Sequence, residues 1–189
     1  MVRRCVGSAT MSIPEARIEE TPAGKVPFGT GWFVLSLIGA RGFATEGHGV
    51  FCTFESPDAD FEDFGINVHV LQPGERSALY HSENVQEGFL VLAGECLAVV
   101  EEQERTLRAW DYLHCPAGTA HALIGAGDGP CAILMVGARK PDATIHYPVS
   151  EAAARHGLST PVASDAAREA YGNAGWNRES VPTPMPWPR

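Results

Sequence analysis

Between residues 28 and 147 the chain is a succession of short apolar runs, each rich in Val, Ile, Leu or Phe and each closed by Gly, Pro, Asp or Asn. Residues 33–38, 49–54, 66–71, 88–92 and 96–100 come first; 106–108, 111–115, 122–124 and 131–136 follow. Runs of this length, bounded by turn formers and with little helical periodicity between them, read as strands. Many short strands with no helices to cover them must bury their faces against one another. That predicts an all-β antiparallel sandwich or barrel.

The flanks differ in character. Residues 1–27 are polar and punctuated by Pro14, Pro22, Gly24 and Pro27, and read as an N-terminal arm lying outside the strand-rich region. In residues 148–189, Ser150 is placed to cap a short helix through Ala154 that stops at Gly157, and Ser164 a second through Ala170 that stops at Gly172. From Val181 onward proline recurs at every second position, which predicts extended coil. Trp176 and Trp187 need apolar surface, on the barrel wall or on a neighbouring subunit. The expected organisation is therefore an arm (1–27), a barrel (28–147) and an extension (148–189).

Charge and composition remove several classes of function. With 14 basic and 23 acidic side chains the formal net charge is −9, and no cluster of Lys and Arg is available to hold phosphate backbones or anionic membranes. Residues 32–40 are the longest apolar stretch, far short of a bilayer span, and they carry Ser36 and Gly39. No apolar segment follows the early Arg3 and Arg4, so a secretory signal is not expected, and Met11 offers an alternative start. Cys5, Cys52, Cys96, Cys115 and Cys131 are odd in number and lack CxxC spacing, which fits reduced, buried thiols in a cytoplasmic protein.

Chemistry concentrates in two stretches. The first is His81-x-Glu83-x3-Glu87-x6-Gly94; on an extended strand His81 and Glu83 share a face, and Glu87 opens the next strand beyond a turn at residues 84–86. The second, separated from Gly94 by the 15 residues 95–109, is Trp110-Asp-Tyr-Leu-His-Cys-Pro116-x-Gly118-x2-His121, in which Pro116 and Gly118 form a turn and His121 opens a further strand. Together these stretches resemble the two sequence motifs of the cupin superfamily, G-x5-HxH-x3,4-E-x6-G and G-x5-PxG-x2-H-x3-N, over about residues 66–137. The resemblance implies an antiparallel jelly-roll barrel holding a divalent metal on the motif histidines and glutamate, in a homodimer. The chain departs from the pattern at four points. Glu83 stands where the second histidine is usual, six residues rather than five separate Gly74 from His81, Trp110 replaces the opening glycine, and Gly125 replaces the closing asparagine.

The expected ligand set is His81, Glu83, Glu87 and His121. Two imidazoles and two carboxylates offset a dication and suit Fe(II), Mn(II), Zn(II), Co(II) or Ni(II). Without a cation, two carboxylates sharing a buried site could not both ionise freely. Two alternatives stay open: Glu87 as an acceptor that orients a ligand histidine, and Glu83 directed to solvent, leaving three ligands. Around the metal, Asn67, His69, Tyr80, Phe89, Val91, Tyr112, Leu123 and Met135 are candidate pocket residues, predominantly apolar. His48, His114, His146 and His156 read as surface or packed histidines, Cys115 as a small buried hydrophobe, and residues 125–129 as a hairpin turn.

The functional expectation is a metal-dependent enzyme acting on a small, largely apolar organic molecule, oxygenase-type before others. The alternatives are a non-redox isomerase, lyase or hydrolase with Glu83 or Glu87 as general base, and a non-catalytic small-molecule binding barrel.

Overall fold

The apolar runs of the central region fold as strands with one exception. In the computed structural model, which describes residues 12–172 and 178–184, the elements in chain order are β1 (Arg17–Thr21), β2 (Gly24–Phe28), β3 (Arg41–Ala44), β4 (Val50–Thr53), β5 (Phe64–Leu71), β6 (Ser82–Glu83), β7 (Glu87–Ala93), β8 (Glu95–Val100), β9 (Gln103–Arg108), β10 (Tyr112–Cys115), β11 (His121–Ala126), β12 (Cys131–Ala138), β13 (Ile145–His146), α1 (Glu151–Ala154), α2 (Ala167–Tyr171) and β14 (Glu179–Pro182). The architecture is an all-β antiparallel jelly roll. One sheet runs β10-β7-β12-β5-β4-β3-β14, a second runs β11-β8-β9, and β13-β6 and β1-β2 form small ribbons.

The two larger sheets enclose the core. Register across β4, β5, β12 and β7 aligns Phe51, His69, Ile133 and Val91 in one row, and aligns Asn67, Met135 and Phe89 in another. Both rows face inward, because Phe89, Val91, Ile133 and Met135 pack with Leu71, Cys96, Ala98 and Leu123 in one buried cluster. Val68 and Val70, on the opposite face of β5, are buried as well. The outer face of β8 and β11 is covered from the C-terminal side, where Val99 and Ala122 pack with Tyr80, Ala152, Ala153 and Leu158. Each such fully buried aliphatic side chain contributes about 1.5–3 kcal/mol of transfer free energy.

Four expectations change. Residues 33–38 form no strand: the Ser36 hydroxyl accepts from the Ile38 amide, Ala40 donates to the Leu37 carbonyl, and local turn chemistry overrides the apolar pattern. The described part of the arm, 12–27, carries strands of its own, since β1 and β2 form a hairpin closed by Thr21 and tied to the body through the Lys25 amide and the Gly39 carbonyl. The proline-rich end begins as strand β14 on the edge of the large sheet, beside β3, a place where Pro182 needs no ladder donor. Helix α2 starts at Ala167 with Ala166 in the capping position, while Ser164 hydrogen-bonds the Ala166 amide and the Glu169 carboxylate instead. By contrast α1 carries the predicted cap, with Ser150 Oγ accepting from the Ala153 amide. Trp176, Trp187, Cys5 and Met11 lie outside the described residues.

Cys52, Cys96, Cys115 and Cys131 are free and buried, as their spacing suggested. Among the described residues no helix is long and apolar enough to cross a membrane.

Candidate metal centre

The centre is built where the segment leading into β6 meets β11. His81 and His121 face each other as a doubly hydrogen-bonded pair: each backbone amide donates to the other's carbonyl, at 3.1 and 2.8 Å. Because successive residues alternate faces, His81 points into the barrel while its neighbour Tyr80 points out, and His121 points in while Ala122 points out. The two imidazole centroids end up 4.9 Å apart. Both rings are buried, His81 to 8 % and His121 to 1 % exposure.

Backbone carbonyls set the ring orientations. His81 Nδ1 lies 2.7 Å from the Leu79 carbonyl and His121 Nδ1 3.1 Å from the Thr119 carbonyl. A carbonyl only accepts, so each Nδ1 carries the proton and each Nε2 keeps a lone pair for a ligand. Glu87, first residue of β7, brings a carboxylate oxygen to 3.5 Å from His121 Nε2. One donor atom from each of His81, Glu87 and His121 falls within 4.8 Å of the other two. Glu83 lies outside that convergent set, with its carboxylate 3.9 Å from His81 Nε2 on the cavity wall. The Pro116–Gly118 turn holds it there, since the Gly118 amide donates to the Glu83 carbonyl at 2.7 Å and Gly118 takes the left-handed conformation (φ 87°) the turn requires.

Electrostatics fit a cation. Burial, reinforced by the Glu83 charge, pushes the Glu87 carboxyl up to about 8. Burial and then the neighbouring His81 lower His121 to about 4, and burial lowers His81 against the opposing pull of the Leu79 carbonyl and Glu83. Two neutral imidazoles and a carboxyl that resists ionising form a poor site for nothing, but a ready one for a dication, which favours the lone pairs and the carboxylate alike. The residues therefore suit the metal that the fold implies. Cys115, with its thiol raised to about 12 by burial, is no competing ligand or nucleophile.

The centre opens on two adjoining cavities of about 310 Å³ each, which share Asn67, His69, Ser77, Ala78, His81 and Glu83. Phe89 and Met135 line the inner one beside Glu87 and His121. Four of the expected pocket residues are elsewhere. Tyr80 is turned to the outer cluster, where its hydroxyl accepts from the Glu102 amide; Val91 and Leu123 are sealed in the core; Tyr112 lies on the outer surface, 63 % exposed. Conversely the sequence reading missed His48, Phe51, Tyr147, Tyr171 and Arg178, which line the outer cavity. Strand parity could have found Phe51, which alternates with the buried Cys52; the others converge from distant segments and leave no local signal.

Two of the motif departures have a structural account. Trp110, at the usual glycine, occupies the left-handed region at φ 75°. At Gly125, in place of the usual asparagine, a Cβ would meet the Gln72 carbonyl oxygen at 2.2 Å, so the backbone of this barrel passes too close for a side chain.

Fold and site together define a jelly-roll barrel with a His–Glu–His group in its interior that could hold a metal ion. Residues 67–137 match the family model described as the Cupin domain, and this part of the chain is a cupin domain. Among solved structures, a sugar phosphate isomerase of the cupin superfamily from Silicibacter pomeroyi is 26 % identical, with 58 % of this chain and 66 % of that one covered at a TM-score of 0.46. The polyketide cyclase RemF from Streptomyces resistomycificus is 14 % identical, covering 51 % of this chain and 69 % of that one, TM-score 0.44. A cupin protein from Bacteroides fragilis is 18 % identical, covering 43 % and 70 %, TM-score 0.40. No curated protein matches the chain.

Proposed function

We propose that the protein is a metal-dependent enzyme of the oxygenase type, acting on a small organic molecule that carries an aromatic, keto or enolisable group. The observation that carries this is the convergence of two imidazole Nε2 atoms and one carboxylate on one side of a cavity. Two histidines and a carboxylate that leave further positions open are the donor set of non-haem Fe(II) oxygenases, and they also accept Mn(II), Zn(II) or Ni(II).

When bound, the metal supplies Lewis acidity toward a substrate oxygen and, if redox-active, one-electron chemistry with O₂. The chain's own groups do the rest. Leu79 and Thr119 hold the two Nδ1–H groups, so the Nε2 lone pairs stay aimed at the cavity through turnover. Glu87 supplies the anionic donor. Glu83, on the wall beside His81, is placed to take a proton at Oε1 from a substrate hydroxyl or α-carbon. Phe89 and Met135 give the inner cavity an apolar wall for the substrate.

Glu83 also favours a second reading, a non-redox isomerase, lyase or hydrolase in which that carboxylate is the general base. One experiment separates the two. Oxygen consumption is followed with a panel of small aromatic and enolisable compounds, using protein loaded with Fe(II), Mn(II), Ni(II) or Zn(II). Uptake with a redox-active metal and none with Zn(II) is the expected result. Substrate turnover with Zn(II) and no oxygen uptake with any metal selects the second reading.

A further inference from the structure

We propose that the C-terminal extension is a working part of the metal centre, in which the Tyr171 hydroxyl is a positioning group that holds the His81 imidazole through residue 79. The proposal rests on reading the His–Glu–His group as a metal site, and it assigns a role to a segment outside the matched domain.

The route is short. Tyr171, the last residue of α2, places its hydroxyl where it accepts from the Leu79 amide at 2.9 Å. The Leu79 carbonyl accepts from His81 Nδ1–H at 2.7 Å. Residue 79 is thus held at its donor by the extension and holds the ligand ring with its acceptor. The next two amides are tied to backbone: Tyr80 donates to the Leu158 carbonyl at 2.8 Å and His81 to the His121 carbonyl at 3.1 Å. Of these three amide bonds, only the one to Tyr171 is made by a side chain, so it alone can be removed by substitution without touching the main chain. An imidazole whose Nδ1–H is fixed by an acceptor keeps Nε2 as the donor and keeps its plane aimed at the ion. His121 is held differently. Its Nδ1–H meets the Thr119 carbonyl, and the Thr119 amide donates to the Pro116 carbonyl, so that chain of bonds stays within the Pro116–Gly118 turn.

The form of α2 points the same way. A helix of five residues is too short to stand on its own, and none of its side chains is fully buried. Its approach is set by Ser164, whose amide and carbonyl pair with those of Tyr147 at 3.1 and 2.8 Å. Tyr147 in turn continues the β13–β6 register to a place opposite His81, with ring centroids 5.8 Å apart. The Tyr171 ring stands edge-on to that of Tyr147 at 5.9 Å and lies 5.6 Å from His48, and the two tyrosine hydroxyls hydrogen-bond each other. The extension therefore meets the ligand segment through ring contacts that phenylalanine would keep and a hydroxyl that it would lose.

The test uses the full-length chain, its Tyr171→Phe variant and, as a control for lost stability, Val26→Ala, whose buried side chain lies in β2. Nitrogen NMR of the histidine rings in isotope-labelled, metal-free protein reads each tautomer. Both His81 and His121 are expected as Nδ1–H in the unsubstituted chain. In Tyr171→Phe, His81 is expected to divide between tautomers while His121 stays as it was. Co(II) titration followed by visible absorption is expected to show affinity about tenfold weaker in Tyr171→Phe, the scale usual for groups that orient a metal ligand, and unchanged in Val26→Ala. A His81 ring unmoved by Tyr171→Phe, an equal change at His121, unchanged Co(II) affinity in Tyr171→Phe, or the same Co(II) loss in Val26→Ala overturns the proposal. If the unsubstituted chain binds no Co(II), the metal reading falls by itself, and the His81 tautomer in Tyr171→Phe still decides whether Tyr171 positions that ring.

Discussion

At the residue scale the account turns on four buried titratable groups, of which His69, His81 and His121 are shifted down and Glu87 is shifted up. In metal-stripped protein, His69 and His121 titrate at about 4, below the ordinary 6.5, and His81 is lowered too. The folded state then binds fewer protons than the unfolded one, so stability rises as pH climbs from about 4 to 6.5. Glu87 does the reverse. Its folded value of about 8 exceeds the ordinary 4.5, so its contribution is present at low pH and lost as pH rises toward 8. Urea midpoints of EDTA-treated protein should therefore peak near pH 6.5 and fall by pH 8, and Glu87→Gln should remove the fall. A midpoint still rising between those values contradicts the assignment. Trp110 makes a second residue-scale case. A 76 % exposed tryptophan in the left-handed region stores strain that glycine does not, so Trp110→Gly should stabilise by about 0.5–1 kcal/mol, read as a shift in the same midpoint. The ligand residues were legible in the sequence because alternation on a strand is a local rule: His81, Glu83, Glu87 and His121 all reach the cavity region. Their ranking was not legible. Whether Glu83 or Glu87 joins the two imidazoles depends on where the turn before β7 delivers its carboxylate, and spacing does not encode that.

At the scale of elements, the two imidazoles depend on packing behind them. Tyr80 and Ala122, the outward neighbours of His81 and His121, are covered by Ala152, Ala153 and Leu158. Leu158→Ala opens a cavity against that wall and should cost about 3 kcal/mol, with a matching loss of metal affinity as the His81–His121 pair loosens. Denaturation and metal titration of the same variant check both; unchanged affinity alongside the full stability loss would show the pair is held by its backbone bonds alone. The central strands were readable because alternation and turn residues agree there. The side chains of β5 were harder to assign, since Val68 and Val70 are as buried on one face as His69 and Asn67 are enclosed on the other, and hydrophobicity alone cannot choose. The β1–β2 hairpin and β14 escaped for another reason. Their polar sequences, Arg-Ile-Glu-Glu-Thr and Glu-Ser-Val-Pro, carry no alternation, and they become strands through pairing with partners distant in sequence or across a tight Thr21–Gly24 turn.

At the scale of the whole molecule, a barrel whose interior brings together two neutral imidazoles and a reluctant carboxyl could hold a cation there. An ion bound only by the folded state adds RT ln(1 + [M]/Kd) to stability, about 4 kcal/mol at a thousandfold excess over Kd. Chelation should therefore lower the melting temperature of the protein as purified, and His121→Ala should make it insensitive to EDTA. The most direct test of the central claim is elemental analysis of protein purified without added metal, set beside His81→Ala and His121→Ala. The account predicts close to one divalent transition-metal ion per chain in the unsubstituted protein and almost none in either variant. Metal-free protein that also takes up no Fe(II), Mn(II), Ni(II) or Zn(II) on titration, or equal metal content in all three, would contradict it.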